Sequence, residues 1–220
     1  MKLVLASGSQ RRRELLTMCG YDYEIIVSNA DETIDENDPE SFVRALSFRK
    51  AKEVFDRLFA AGRRDFAVIG SDTVVAFQKE GGTKPVIIGK PKDAEDAVRI
   101  LSMLSGKTHR VFTGVSVIAD IPDENAAAQC SIRKKEEIQT ECSITEVTFE
   151  TLSPDEIADY VNSGDPLDKA GSYGIQGPFG MFVREIRGNY FTVIGMPIPV
   201  LYKMLKKIGI LPHGFYERIE

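Results

Sequence analysis

A short polar segment, Ser7-Gly8-Ser9-Gln10-Arg11-Arg12, constrains this chain more than any other feature. It follows the apolar run Leu3-Val4-Leu5-Ala6 and precedes a run with helical spacing that ends at Gly20. This order predicts a strand, a loop of small residues and the start of a helix. Such a loop lets backbone N–H groups approach an oxyanion, while the helix start and the arginines add positive charge. We therefore expect a phosphate-bearing ligand at this loop.

The overall charge indicates that this ligand is small. The net charge is −5 over 220 residues, and positive charge is concentrated locally, as in Arg11-Arg12-Arg13. A nucleic-acid polymer is bound through a broad basic face, so we expect no polymer partner. No run of eighteen apolar residues is present, and the N-terminal apolar run is too short for a signal peptide. With three cysteines that lack metal-type spacing, the chain is expected to be cytoplasmic, without a membrane partner and with reduced thiols.

Strand and helix patterns alternate along the chain, and hairpins intervene, which predicts an α/β fold with a mixed sheet. We expect one domain over residues 1–220, with a surface excursion near 120–137 that lengthens a hairpin. Strands are predicted at residues 3–6, 23–27, 67–75, 85–88, 111–118, 145–149, 182–186 and 190–194. After the first helix, further helices are predicted at about 38–58, 93–104, 153–164 and 198–208.

Asp72 is the first candidate for chemistry, because it lies inside the apolar strand Val68-Ile69-Gly70-Ser71-Asp72-Thr73-Val74-Val75. An unpaired carboxylate is costly to bury, and ionisable groups in apolar surroundings often mark sites. The roles it would suit are a general base or a metal ligand. The alternatives are that it points to solvent or pairs with a structural arginine.

Two lysines and an acidic pair are further candidates. Lys50 lies in the apolar sector of its predicted helix, where it either serves a site or extends its ammonium group to solvent. Lys90 stands between Gly89 and Pro91 and is either a site residue or an ordinary turn lysine. Asp31-Glu32 offers a carboxylate for a divalent cation, although acidic pairs in loops are more often only solvated.

The densest loop covers residues 164–177 and contains four glycines, several charges and interleaved apolar side chains. We favour a binding loop over a flexible connector, because the apolar residues need to be held against something. The residues for other chemistries are missing. Gly106-Lys107-Thr108 does not fit a P-loop, because it follows a helix and lacks the first P-loop glycine. Only two histidines are present, which leaves little for a histidine-based metal site or catalytic triad. Phosphate chemistry by a carboxylate, cations and a metal ion remains.

Taken in order, these segments resemble the Maf family of nucleoside triphosphate pyrophosphatases over nearly the whole chain. The resemblance is carried by Leu5-Ala6-Ser7-Gly8-Ser9-Gln10-Arg11-Arg12, Glu32, Lys50-Ala51, Gly70-Ser71-Asp72-Thr73-Val74-Val75, Gly89-Lys90-Pro91, Leu104-Ser105-Gly106-Lys107-Thr108-His109, Asp168-Lys169-Ala170-Gly171-Ser172-Tyr173-Gly174-Ile175-Gln176-Gly177 and Gly195-Met196-Pro197.

The resemblance implies an α/β fold of the Maf and inosine-triphosphatase kind. Its elongated mixed sheet is bent and flanked by helices, and two lobes surround a nucleotide-binding cleft. It also implies a homodimer, and hydrolysis of a nucleoside triphosphate to the monophosphate and pyrophosphate with Mg²⁺ or Mn²⁺. Asp72 matches the family's proton acceptor, and we assign Glu32 and Asp72 to the cation. The substrate-binding residues are predicted to be Ser7, Ser9, Arg11, Arg12, Lys50, Thr73, Lys90, Lys169 and Gln176.

Three of these positions differ between family subgroups, and here they hold Arg11, Thr73 and Gln176. This chain is similar to the subgroup that acts on dTTP and UTP, whereas the subgroup for a methylated guanine nucleotide has Trp first and Glu last. A glutamine amide donates and accepts, which suits the O4 and N3–H edge of uracil or thymine. Modified pyrimidine nucleotides are an alternative substrate. The rival hypothesis is a nucleotide-sensing regulator of cell division that catalyses nothing.

Overall fold

The computed structural model describes residues 1–78, 81–82, 84–121 and 135–214, with Lys135 described by its backbone alone. The strands are β1 (Lys2–Leu5), β2 (Glu24–Ile25), β3 (Phe66–Phe77), β4 (Val86–Ile88), β5 (Thr108–Ile121), β6 (Lys135–Phe149) and β7 (Val183–Arg187). The α-helices are α1 (Gln10–Met18), α2 (Pro39–Ala60), α3 (Ala94–Leu104), α4 (Pro154–Asn162), α5 (Tyr190–Ile194) and α6 (Ile198–Lys207). No helix within the described ranges is long and apolar enough to cross a membrane.

The seven strands form one mixed sheet, which confirms the predicted fold class. Its order is β2-β1-β3-β5-β6-β7, and β4 pairs with β3 outside this path. Strands β1, β2 and β3 are mutually parallel where they pair, whereas β3, β5, β6 and β7 form an antiparallel series. Helices cover both faces, because a sheet with long apolar strands must bury each face against another layer.

The longest helix, α2, packs unusually close to the centre of the sheet. A side chain at Gly70 would place its Cβ 2.2 Å from the Ser47 carbonyl oxygen, and one at Gly114 would meet the Val43 carbonyl oxygen at 2.2 Å. Only glycine allows this approach. It brings Lys50, on the same helix, within reach of β3.

Strand β3 has two different neighbours along one edge. Its first half pairs with β1 through residues 66–69, and its second half pairs with β4 through residues 75–77. Within the described residues, positions 70–74 have no strand partner on that edge, although all of them pair with β5 on the other. The sheet therefore opens beside Asp72.

Most predicted elements are confirmed, and two local signals explain their accuracy. Asp38 caps α2 by accepting a hydrogen bond from the Ser41 N–H, and Pro39 follows it at the first helical position. The capping box of Ser153 and Glu156 begins α4. The hairpin β5–β6 pairs as far as residues 121 and 135, but the predicted excursion lies mostly outside the described residues. A single domain stays a prediction.

The strand predicted at residues 190–194 is wrong, because this segment forms the short helix α5. The Asn189 side chain accepts hydrogen bonds from the backbone N–H groups of Phe191 and Thr192, which caps the helix start. Gly195, with φ of 109°, ends the helix in the left-handed region. Two capping residues therefore outweigh a β-prone sequence of only five residues.

The buried His109 gives the fold a specific pH dependence. Burial lowers the pKa of His109 from 6.5 to about 3, so only the unfolded chain takes up this proton between those values. The free energy of unfolding should therefore decrease as the pH falls below about 6.5, and His109 should contribute about 2 kcal/mol of that decrease by about pH 5. Urea unfolding of His109→Gln at about pH 7 and about pH 5 measures this, with the exposed His213→Gln as control. Equal losses for wild type and His109→Gln would contradict it.

Candidate active site

The loop between β1 and α1 forms one wall of a cleft of about 520 Å³. The Ser7 hydroxyl oxygen accepts hydrogen bonds from the Ser9 N–H (3.3 Å) and from Arg12 Nη1 (3.1 Å). The first turn of α1 carries no acidic residue. The start of this helix therefore offers its positive end to the cleft, as the sequence predicts for an anion-binding loop. We call this loop, Ser7-Gly8-Ser9, the anion cradle.

Arg12 is held on three sides. Its Nε donates to the Gly195 carbonyl oxygen at 2.8 Å, Nη1 to the Ser7 hydroxyl, and Nη2 to the Thr73 hydroxyl at 3.3 Å. Burial lowers the pKa of Arg12, and the Asp72 carboxylate partly opposes this effect. The guanidinium is nonetheless charged at neutral pH, because arginine does not lose its proton in proteins. Arg12 is thus a fixed positive charge between the cradle and β3.

Asp72, Lys50 and Glu32 meet on the other side of β3. Lys50 Nζ lies 2.8 Å from Asp72 Oδ1 and 3.0 Å from Glu32 Oε1. The side chains of Asp72 and Lys50 are both 12% exposed, whereas that of Glu32 is 65% exposed. The predicted burial of Asp72 is therefore accompanied by a partner of opposite charge. That partner is a lysine of the cleft and not the structural arginine weighed as an alternative.

Arg11 and Lys169 are brought together by a residue that the sequence analysis did not select. Arg11 Nη1 lies 3.0 Å from Asp168 Oδ2, and Lys169 Nζ lies 2.8 Å from Asp168 Oδ1. Burial would raise the pKa of Asp168, but Lys169 and Arg11 outweigh it and hold this pKa below its usual value. Lys169 also contacts Asp165 at 2.9 Å. A phosphate that binds Arg11 or Lys169 therefore competes with the carboxylates of Asp165 and Asp168 for these cations.

The remaining predicted residues also line the cleft. Lys90 and Gln176 are both exposed there, and Thr73 is partly buried. Lys90, Glu32, Asp72 and Thr73 line a second cavity of about 730 Å³ as well. The two cavities thus share their walls at the opening in the sheet. All eleven predicted site residues line one cleft: Ser7, Ser9, Arg11, Arg12, Glu32, Lys50, Asp72, Thr73, Lys90, Lys169 and Gln176.

A scan against protein families gives a match to the model described as Maf-like protein over residues 2–208. The chain belongs to the Maf family. Family relatives include the dTTP/UTP pyrophosphatase of Agathobacter rectalis, 40% identical over 217 residues that cover 95% of this chain and 98% of the relative. Another is the dTTP/UTP pyrophosphatase of Bacillus thuringiensis subsp. konkukian, 42% identical over 210 residues, 95% and 96% of the two chains.

A solved structure outside this group of relatives is also similar to the chain. The Staphylococcus aureus Ham1 protein matches with 13% sequence identity and a TM-score of 0.47, covering 94% of this chain and 99% of that chain. At this level of similarity the match contributes nothing to the assignment of function.

The resemblance of this Maf family member implies a divalent cation. The chemistry of the site fits a cation that the protein and the phosphates of the substrate would hold together. Glu32 and Asp72 each present one oxygen atom within 3.0 Å of Lys50 Nζ, so the two carboxylates lie close together with the Lys50 ammonium group between them. No cluster of three or more metal-ligating side chains occurs among the described residues. Mg²⁺ commonly takes one or two carboxylates together with substrate phosphates, so this sparse donor set suits it.

Three contributors to the site were missed from the sequence of this Maf protein. Asp168 lay within the resemblance, beside Lys169, and its charge in a glycine-rich loop was a usable signal. Gly195 acts through its carbonyl oxygen, which no side-chain pattern reveals. Thr113 supports Thr73 from the neighbouring strand at 3.0 Å, and only the β3–β5 register places them opposite each other.

Proposed function

We infer that this chain hydrolyses dTTP and UTP to the corresponding monophosphates and pyrophosphate. The observation that carries this proposal is the buried Asp72–Lys50 pair, which opens through the gap in the sheet onto an anion cradle. A carboxylate base beside a cluster of cations suits attack on a phosphoanhydride. The names of the relatives from Agathobacter rectalis and Bacillus thuringiensis support the choice of dTTP and UTP.

In the proposed reaction, Asp72 accepts a proton from the water that attacks the α-phosphorus. A new bond forms between the water oxygen and this phosphorus, and the bond to the bridging oxygen of the β-phosphate breaks. The electron pair of that bond leaves with pyrophosphate. Lys50 holds the Asp72 carboxylate by its Oδ1 atom, which fixes its direction toward the cleft.

Positive side chains neutralise the charge that develops on the leaving group. Arg12 supplies a fixed charge at the cradle, and Lys90 supplies an exposed one where the two cavities meet. Fixed cations contribute more in a partly dehydrated cleft than in water. A divalent cation held by Glu32 and Asp72 would add further neutralisation of the phosphates. The preferred metal and the homodimer stay predictions.

One assay tests the function directly. The protein is incubated with dTTP, UTP, CTP, GTP or ATP and with Mg²⁺ or Mn²⁺, and both pyrophosphate and orthophosphate are measured. We expect pyrophosphate, released fastest from dTTP and UTP. No release from any nucleotide would contradict the enzyme and favour the nucleotide-sensing regulator. Release of orthophosphate alone would indicate cleavage at the γ-phosphate and a different mechanism.

A second prediction concerns the choice of base. Gln176→Glu replaces a side chain that donates and accepts with one that only accepts, which opposes the O4 acceptor of uracil and thymine. We expect kcat/KM for dTTP and UTP to fall about tenfold. This is at the lower end of the cost of an unsatisfied hydrogen bond, because Gln176 is exposed. Steady-state kinetics with dTTP and dGTP measure the effect. Gln78→Glu adds the same charge at an exposed position away from the cleft and serves as control. An equal loss in both variants would contradict base readout by Gln176.

A further inference from the structure

A chain of hydroxyl groups runs from the cleft into the sheet. Arg12 Nη2 lies 3.3 Å from Thr73 Oγ1, which lies 3.0 Å from Thr113 Oγ1. Thr113 Oγ1 in turn lies 2.7 Å from the Thr192 carbonyl oxygen at α5. Thr113 is completely buried, and it does not line the cleft. Its hydroxyl therefore touches no substrate, yet it is connected to Arg12 through Thr73. We call this path of hydrogen bonds from Arg12 through Thr73 and Thr113 the relay.

The direction of every hydrogen bond in this path is determined by chemistry. A guanidinium only donates and a carbonyl oxygen only accepts, whereas each hydroxyl has one hydrogen. Thr113 must give its hydrogen to Thr192, so it can only accept from Thr73. Thr73 then directs its own hydrogen toward Thr113 and its lone pairs toward Arg12. Without the Thr113 acceptor, the Thr73 hydroxyl is free to rotate.

Gly195, which follows the last residue of α5, holds Arg12 by a second route. The Gly195 carbonyl oxygen accepts from Arg12 Nε at 2.8 Å and from the Ser71 hydroxyl at 3.0 Å. A Cβ on Gly195 would lie 3.1 Å from Thr73 Oγ1, so the segment also packs against the relay. Helix α5 and the glycine that follows it thus restrain two nitrogen atoms of the Arg12 guanidinium. Gly195 restrains Nε directly, and the relay restrains Nη2 through Thr73.

We propose that Thr113 is a positioning residue: through Thr73 it orients the Arg12 guanidinium toward the phosphates of the substrate. This deepens the proposed function and rests on it for the identity of the substrate. Because three donors of Arg12 face protein acceptors, its remaining N–H groups have a defined direction. A phosphate oxygen that arrives there meets a donor that is already in place.

The relay is tested by Thr113→Val, which removes the hydroxyl and keeps the shape. Binding of inorganic pyrophosphate is measured by calorimetry, and dTTP hydrolysis by steady-state kinetics. We expect pyrophosphate affinity and kcat/KM to fall about fivefold, the size of one lost hydrogen bond. Thr113→Ser retains the hydroxyl and should stay within about twofold of wild type. Thr148→Val removes a buried hydroxyl that pairs only with Thr108 in the described structure, and should change neither readout.

A double-mutant cycle separates positioning from general loss of structure. In an Arg12→Ala background, Thr113→Val should cause no further loss, because the group it orients is gone. A loss of the same size in both backgrounds, or unchanged pyrophosphate affinity in a folded Thr113→Val, would overturn the inference. If Thr113→Val does not fold, Thr73→Val breaks the relay from the cleft side, and unchanged affinity there overturns it as well. Wild type that binds pyrophosphate but hydrolyses no nucleotide would contradict the proposed function, while the affinity comparison still decides the relay.

Discussion

Asp72→Asn should lower kcat for dTTP by about 10²- to 10⁴-fold, the usual contribution of a general base. The amide has the shape of the carboxylate, but it does not accept a proton from water at neutral pH. Its oxygen still accepts a hydrogen bond from Lys50, which now contacts Asp72 Oδ1 at 2.8 Å. We therefore expect the fold to persist and KM for dTTP to change much less than kcat.

The control for this variant is a second buried aspartate on the same sheet. Asp120 is 6% exposed at the end of β5, where its carboxylate accepts a hydrogen bond from the Asp65 N–H at 3.0 Å. It does not line the cleft. Asp120→Asn should therefore cost stability but leave kcat within about twofold. Near-normal turnover by a folded Asp72→Asn would remove Asp72 from the role of base.

The parts of the site that sequence reasoning found have local signals. Asp72 stands in an apolar strand, Lys50 in the apolar sector of a helix, and the cradle between a strand and a helix start. Each signal depends on residues within one turn or one strand. The resemblance to the Maf family then placed these separate signals around one cleft, and the structure brings Asp72 and Lys50 to 2.8 Å.

The parts that were missed depend on contacts between distant segments. The Thr73–Thr113 contact follows from the pairing of β3 with β5, and the Arg12–Gly195 hydrogen bond joins positions 183 residues apart. The five residues of α5 favour a strand by composition, and the caps that make them a helix lie outside them, at Asn189 and Gly195. Neither register nor a backbone carbonyl has a signature in residue type, so only the folded chain reveals them.

Alternation along β3 lets one strand serve both sides of the cleft. Asp72 faces α2 and meets Lys50, whereas Ser71 and Thr73 face the opposite side and meet Gly195 and Arg12. The base is therefore carried by β3, and the next residue of the same strand, Thr73, contacts the fixed cation Arg12 of α1. The contact with Thr73 ties the position of Arg12 to the strand that carries Asp72, which suits a reaction that relies on positioning.

Arg12→Ala should lower kcat/KM for dTTP by about 10²- to 10³-fold, comparable with the loss of one preorganised donor to a developing negative charge. The variant removes the fixed charge beside the cradle and the three hydrogen bonds to Gly195, Ser7 and Thr73. Thr73 retains Thr113 as a partner, so we expect the sheet to stay intact. Steady-state kinetics and thermal unfolding measure the two effects separately.

Arg12→Lys distinguishes geometry from charge. A lysine restores the positive charge, but its single nitrogen does not reproduce the planar guanidinium that reaches three acceptors in different directions. We therefore expect Arg12→Lys to recover less than about a tenth of the lost kcat/KM. Arg99→Ala, which breaks an exposed ion pair with Asp96 on α3, should leave kcat/KM unchanged and serves as control. Full recovery by lysine would mean that charge alone matters at this position, and that the fixed orientation of Arg12 by Gly195, Ser7 and Thr73 contributes nothing to turnover.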